Sequence, residues 1–266
     1  MTSWLRRLRQ APGAAATLIC FHHAGSGAAS FSPWSRLLPD TIELACAQLP
    51  GRENRFRETP FRRMEPLVTA LGEALRDELA EPYFFFGHSM GARVCFALTH
   101  HLRDLGRPLP RALFLSGTPA PSIRDWNHAH QLSDPSLIAH MMELGGVPDS
   151  VAAAPHFLQT FLPCLRADLE VSEVGRLAYP EPLTCPVHAL AGSSDPLATP
   201  ERVRAWREAT TGTFTFRTFA GDHFFPQTCG PEVVEWVVEQ MESSPGPPRT
   251  GGPAYARSPL AGGDCP

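Results

Sequence analysis

Short apolar runs alternate with helical patterns along most of this chain. The runs have the length of strands and are bounded by polar, Gly-containing or Pro-containing segments; they lie at residues 16–21, 42–47, 83–86, 112–116, 187–191 and 213–219. Between Leu67 and Leu79 a leucine recurs at every fourth position, which predicts a helix with one apolar face. This alternation predicts an α/β fold with a mainly parallel central sheet and helices on both faces.

The strand pattern stops between about residues 122 and 182, where mixed helical pieces take over. We interpret this segment as an inserted helical lid. It follows a strand end, and open α/β sheets bind ligands at the carboxyl ends of their strands, so the lid would wall a pocket. The alternative is that these helices extend the core without any gating role.

The apolar pattern fades after Trp236, and residues 243–266 are rich in Pro, Gly and Ser. Such a composition buries too little apolar surface to order a chain, so we expect a disordered tail. The prediction is therefore one α/β domain over residues 1–242, with the lid inserted, followed by the tail.

Composition narrows the possible partners and compartments. With 266 residues, 43% of them hydrophobic, the chain can bury a large core, and its formal net charge of -4 lacks the basic stripe that nucleic-acid binding needs. Seven cysteines, an odd number without C-x-x-C spacing, indicate reduced thiols. No segment has the length of a membrane span or the pattern of a secretion signal. We expect a cytoplasmic protein that binds neither nucleic acid nor membrane.

The pentapeptide Gly87-His88-Ser89-Met90-Gly91 lies between an apolar run and an amphipathic run that starts at Ala92. That context predicts a strand, a sharp turn and a helix, with glycines where a Cβ would collide with the strand or the helix. The serine hydroxyl would then be presented at the sheet edge as a nucleophile. The alternative is a structural serine in an ordinary turn.

A serine nucleophile needs a base and a group that orients the base. His223 follows the strand-like run 213–219, and Asp195 follows the run 187–191, which completes the chain order Ser, Asp, His that is typical of α/β-hydrolases. Asp195 could instead form a turn or cap a helix before Pro196. The other histidines lack this placement and have no metal-ligand spacing, so we predict neither a metal site nor a cofactor.

Attack on a carbonyl places negative charge on oxygen, which preset N–H donors stabilise. One donor would be the backbone N–H of Met90, directly after the nucleophile, and the second would come from the loop after the first apolar run. We choose Ala24 there, with His23 left open. The alternative is that Gly25 and Gly27 only form a turn.

Six segments together make the chain resemble type II thioesterases, the stand-alone editing enzymes of polyketide and nonribosomal peptide synthesis. They are spread over most of the chain: Phe21-His22-His23-Ala24-Gly25, Leu49-Pro50-Gly51-Arg52-Glu53, Gly87-His88-Ser89-Met90-Gly91-Ala92, Leu165-Arg166-Ala167-Asp168, Gly192-Ser193-Ser194-Asp195-Pro196-Leu197 and Gly221-Asp222-His223-Phe224-Phe225.

The resemblance implies an α/β-hydrolase that removes acyl groups from the 4'-phosphopantetheine arm of acyl- or peptidyl-carrier proteins. By analogy Ser89 forms an acyl-enzyme, His223 moves the proton, Asp195 orients His223, and the lid shapes the acyl chamber. Residue spacing alone indicates only a serine hydrolase. Two alternatives therefore stay open: a general carboxylesterase or lipase acting on free oxyesters, and a catalytically silent binding partner of a synthase.

An arginine-rich run follows the second apolar run and consists of Arg52, Arg55, Arg57, Arg62 and Arg63. Since carrier proteins are usually acidic, this run is a candidate docking surface. The alternative is a solvated face without a partner.

Overall fold

The computed structural model describes residues 3–123, 128–146, 155–175, 177, 179 and 181–244. Within these ranges a seven-stranded sheet has the order β1-β3-β2-β4-β5-β6-β7. Its strands are β1 (Leu5–Arg9), β2 (Ala16–Phe21), β3 (Ile42–Ala47), β4 (Tyr83–His88), β5 (Leu113–Ser116), β6 (Val187–Gly192) and β7 (Phe214–Phe219). All neighbours run parallel except β1 and β3. The predicted α/β fold with a mainly parallel sheet is confirmed.

The described helices cover both faces of this sheet. They are α1 (Met64–Ala74), α2 (Met90–Asp104), α3 (Asp134–Glu143), α4 (Pro155–Val174), α5 (Pro200–Arg204), α6 (Phe225–Thr228) and α7 (Gly230–Ser243), with 3-10 helices at Ala28–Arg36, Glu53–Arg55, Ala129–Gln131 and Ala205–Ala209. None of the described helices is long and apolar enough to cross a bilayer.

Strand β4 illustrates how the core is divided between the two faces. Successive side chains of a strand point to opposite faces, so Phe85 packs in one buried cluster while Phe84 and Phe86 pack in the other. The first cluster holds Leu71 of α1, and the second holds Val237 of α7. Both faces of β4 are thereby removed from water.

Strand β1 has no counterpart among the predicted runs. It is an edge strand with arginines at positions 6, 7 and 9, and its antiparallel pairing with β3 holds it in place. The predicted helix 67–79 is shorter than expected. α1 ends at Ala74, after which residues 75–78 form a turn, with Leu75 still fully buried.

The regular elements described within residues 122–182 are the 3-10 helix Ala129–Gln131, α3 and α4. Residues 124–127 and 147–154 of the predicted lid lie outside the described residues, and its gating role stays a prediction. At the carboxyl end, α7 continues to Ser243, and residues 245–266 of the predicted tail lie outside the described residues.

Candidate active site

Ser89 occupies a sharp turn between β4 and α2. Its φ of 55° and ψ of -118° are unfavourable for a residue with a side chain. A Cβ on Gly91 would lie 2.0 Å from the carbonyl oxygen of Phe21, and a Cβ on Gly87 would lie 2.3 Å from that of Gly91. The turn therefore requires glycine at both flanking positions, because backbone atoms occupy the space of a side chain.

Ser89, His223 and Asp195 form a continuous chain of contacts at the carboxyl edge of the sheet. His223 Nε2 lies 3.0 Å from Ser89 Oγ, and His223 Nδ1 lies 2.8 Å from Asp195 Oδ2. His223 comes from the loop after β7 and Asp195 from the loop after β6. Parallel strands end at the same edge, so these residues meet although 134 positions separate Ser89 from His223.

Asp195 makes both of the contacts that sequence reasoning treated as alternatives. Its Oδ1 accepts from the N–H groups of Leu197 and Ala198 at 2.8 and 3.0 Å, which shapes the turn, while Oδ2 faces His223. Burial raises the pKa of this carboxyl, but the hydrogen bond and charge of His223 and the two N–H groups outweigh it, so the pKa lies below its usual value. Asp195 is therefore ionised at neutral pH, and His223 Nδ1 donates to it.

The two candidate oxyanion donors come from different segments near Ser89. Met90 is the first residue of α2, where backbone N–H groups have no intrahelical acceptor and the helix dipole favours negative charge. Ala24 and His23, from the loop after β2, line the same cavity as Ser89. The structure thus brings both expected loops to the nucleophile, and the choice of Ala24 over His23 stays a prediction.

His88 is a buried residue of the site that sequence reasoning did not single out. Its ring centre lies 5.1 Å from that of His223, and its Nδ1 lies 3.0 Å from Ser116 Oγ. Burial, assisted by the neighbouring His223 and His23, holds the pKa of His88 well below its usual value. The imidazole is neutral at pH 7 and supports His223 without adding charge. The sequence feature that could have pointed to His88 is its position next to Ser89 in the pentapeptide.

A cavity of about 300 Å³ opens beside Ser89 and His223, a volume in the range of small-ligand sites. Its wall includes Met141 of α3 and Leu169 of α4, so helices of the predicted lid contribute to it. Three charged side chains also line it, Arg93, Glu173 and Arg202. Arg93 is 8% exposed, and burial, opposed by Glu173, lowers its pKa to about 10. The cavity wall therefore combines apolar and charged groups.

Only some members of the arginine-rich run are exposed at the surface. Arg52 and Arg55 are 7% and 4% exposed, the first paired with Asp168 and the second with Glu58. Their inclusion in a docking surface was wrong, because both guanidinium groups are held inside the fold. Arg62 is exposed and pairs with a carboxylate of α4.

A model of the thioesterase domain family matches residues 16–244. The chain belongs to this family. It is 36% identical to the gramicidin S biosynthesis protein GrsT of Aneurinibacillus migulanus over 228 residues, which are 84% of this chain and 88% of that protein.

Solved thioesterase structures share the fold. The type II thioesterase BorB from the borrelidin biosynthetic cluster is similar with a TM-score of 0.83 and 35% identity, over 91% of this chain and 99% of that one. The type II thioesterase YbtT from the yersiniabactin NRPS/PKS pathway has a TM-score of 0.82 and 27% identity, over the same shares. The α/β-hydrolase fold and the resemblance to type II thioesterases are confirmed, and this thioesterase is a thioester hydrolase.

Among the described residues, no group of three or more His, Cys, Asp or Glu side chains is arranged to hold a metal ion. The groups beside the cavity are those of acyl transfer: a hydroxyl, an imidazole, a carboxylate and backbone N–H donors.

Proposed function

We propose that this thioesterase hydrolyses acyl groups from the phosphopantetheine arm of carrier proteins in polyketide or nonribosomal peptide biosynthesis, clearing stalled or aberrant units. The observation that carries the proposal is the hydrogen-bonded series Ser89, His223, Asp195, which opens onto a cavity that can hold an acyl group. Family membership and the biosynthetic roles printed in the names of its relatives support this substrate class.

In the first half-reaction Ser89 Oγ attacks the thioester carbonyl while its proton moves to His223 Nε2, 3.0 Å away. Asp195 holds the Nδ1–H and stabilises the imidazolium. The carbonyl oxygen becomes an oxyanion that accepts from the N–H groups of Met90 and Ala24. When the intermediate collapses, the C–S bond breaks and the sulfur takes the proton from His223 Nε2. A thiol with a pKa of about 8.5 leaves more readily than an alcohol.

In the second half-reaction water takes the place of the thiol. His223 Nε2 accepts a proton from the water as its oxygen attacks the acyl-enzyme carbonyl, and the same two N–H groups stabilise the new oxyanion. Collapse breaks the bond to Ser89 Oγ, which takes the proton back from His223. The products are a carboxylic acid and a carrier with a free thiol.

The partner in this proposal is an acyl- or peptidyl-carrier protein, and the working compartment is the cytoplasm. Among the described cysteines, Cys20, Cys46 and Cys95 are buried free thiols, which agrees with a reducing compartment. Since Arg52 and Arg55 are buried, the arginines of this run that could contact an acidic carrier protein are the exposed ones, Arg57, Arg62 and Arg63.

The test is intact-protein mass spectrometry of a carrier loaded with acetyl, propionyl and longer acyl groups, before and after exposure to the enzyme. We expect loss of the acyl mass and a rate at least about a thousandfold lower with Ser89→Ala. Turnover unchanged by Ser89→Ala would overturn the mechanism. A higher kcat/KM on matched oxyesters than on acyl-carrier protein would favour a general carboxylesterase, and no turnover of either would favour a silent binding partner.

A further inference from the structure

A buried carboxylate of α4 reaches the loop that carries the proposed donor Ala24. Residues 22–27 are here called the oxyanion loop. Asp168 is 2% exposed, and its Oδ2 accepts from the N–H of Gly25 at 2.8 Å. Gly25 directly follows Ala24 in the chain. The carboxylate therefore holds the peptide that adjoins the donor.

Arg52 completes this contact from the segment after β3. Its Nη1 and Nη2 lie 2.6 and 2.8 Å from the two carboxylate oxygens of Asp168, and Nη1 also donates to the carbonyl of Ser26 at 2.9 Å. Nε and Nη2 donate to the carbonyl of Pro50 at 3.2 and 3.1 Å. Because a guanidinium is a planar fork with fixed donor directions, these bonds set the position of the oxyanion loop relative to α4.

Direct packing reinforces the hydrogen bonds. Gly25 has a φ of +75°, and a Cβ there would lie 2.8 Å from Phe161 Cζ and 3.0 Å from Leu165 Cδ1, both on α4. Leu169, about one turn beyond Leu165 on α4, and Glu173, about two turns beyond it, line the cavity beside Ser89. The same helix, α4, therefore contacts the oxyanion loop and forms part of the wall of the cavity beside Ser89.

A contribution to stability does not account for this arrangement. The desolvation of a buried ion pair offsets much of its attraction, and apolar side chains of similar size would hold the same elements together. Apolar side chains could not accept from the N–H of Gly25 or donate to the carbonyl of Ser26, and these are the bonds that define the loop.

We propose that Asp168 and Arg52 are positioning residues for the reaction. They hold the Ala24 N–H where the oxyanion forms, and they make that position depend on the helix that walls the acyl chamber. The inference rests on the proposed function, because it requires the oxyanion loop to supply a donor.

The test uses the full-length enzyme with Asp168→Asn and, separately, Arg52→Lys, which retains the charge but loses the fork. We expect kcat on acyl-carrier protein to fall about tenfold to a hundredfold, because a displaced donor costs up to what a deleted donor costs, with little change in KM. Affinity for an acyl trifluoromethyl ketone, whose adduct with Ser89 carries an oxyanion, should fall by a similar factor. Affinity for the matching alkyl-pantetheine thioether, in which a CH₂ group replaces the thioester carbonyl so that no oxyanion can form, should not change.

The matched control is Glu170→Gln, two positions along the same helix. Glu170 pairs with exposed Arg62, with 2.7 Å between Arg62 Nε and Glu170 Oε2, and neither residue touches the oxyanion loop through that pair. We expect wild-type kcat and analogue affinity for this variant.

Equal losses for the ketone and the thioether, or wild-type kcat in both pair variants, would overturn the inference. If Asp168→Asn does not fold, Arg52→Lys alone decides between these outcomes. Failure of the proposed function is a separate result, since it appears as wild-type enzyme that leaves acyl-carrier protein unchanged or as activity that survives Ser89→Ala.

Discussion

Replacing Asp195 by asparagine tests the proton relay with almost no change in side-chain size. Oδ1 accepts two backbone N–H groups, from Leu197 and Ala198, whereas Oδ2 faces only His223. An asparagine keeps both backbone bonds only if its carbonyl takes the Oδ1 position, and each such bond is worth about 1 kcal/mol. Its NH₂ group must then point at His223 Nδ1.

That orientation forces the wrong tautomer on the base. An NH₂ group donates, so Nδ1 has to accept, the ring proton moves to Nε2, and Nε2 can no longer take the proton of Ser89. The equivalent change in a serine protease triad lowers kcat about ten-thousandfold, which corresponds to about 5 kcal/mol of transition-state stabilisation. We expect a loss of that size here with little change in KM.

The assay is release of free thiol from an acyl-pantetheine thioester, followed with a chromogenic disulfide. Thermal unfolding of the same samples verifies that the variant is folded. Asp222→Asn is the matched control: Asp222 neighbours the base, but its carboxylate accepts from the N–H of Phe224 at 2.8 Å, a bond that an asparagine carbonyl can also accept. An Asp195→Asn enzyme with activity close to that of the control would refute the relay.

Two further predictions concern the cavity and the core. Arg93→Leu replaces a buried guanidinium of the cavity wall by an apolar side chain. Each methylene of a bound acyl chain that gains apolar contact there should add about 0.8 kcal/mol to binding. The ratio of kcat/KM for octanoyl over acetyl thioester should rise about tenfold if two methylenes do so, and an unchanged ratio would contradict this. Burial lowers the pKa of His188 from 6.5 to about 4, so the unfolded chain binds a proton there that the native state does not. The contribution of His188 to the free energy of unfolding is therefore fully present above pH 6.5 and is lost as the pH falls towards 4, by about 3 kcal/mol. Urea unfolding of His188→Leu between pH 7 and 4 should show a shallower loss than wild type, and an equal loss would exclude the histidine as its source.

The sequence by itself determined the features that depend on neighbours along the chain. All six runs predicted as strands are parallel strands of the sheet. A strand buried on both faces is apolar over most of its length, and the edge strand β7, which is partly exposed, still has a phenylalanine at alternate positions at its start. The turn around Ser89 was predicted from glycines at positions where any side chain would meet backbone. Since parallel strands end at one edge, the order Ser89, Asp195, His223 was enough to expect that the three side chains meet.

Only the tertiary structure decided the features that depend on contacts between distant segments. β1 contains three arginines and is a strand because β3 supplies the hydrogen-bonding edge. Arg52 has the sequence context of a surface charge, yet it is buried and paired with Asp168, 116 positions away. A charged side chain can enter the interior only beside a partner, and no local pattern identifies a partner that folding brings from elsewhere in the chain. The contact of Asp168 with the loop after β2 therefore forms only once α4 has packed beside α2.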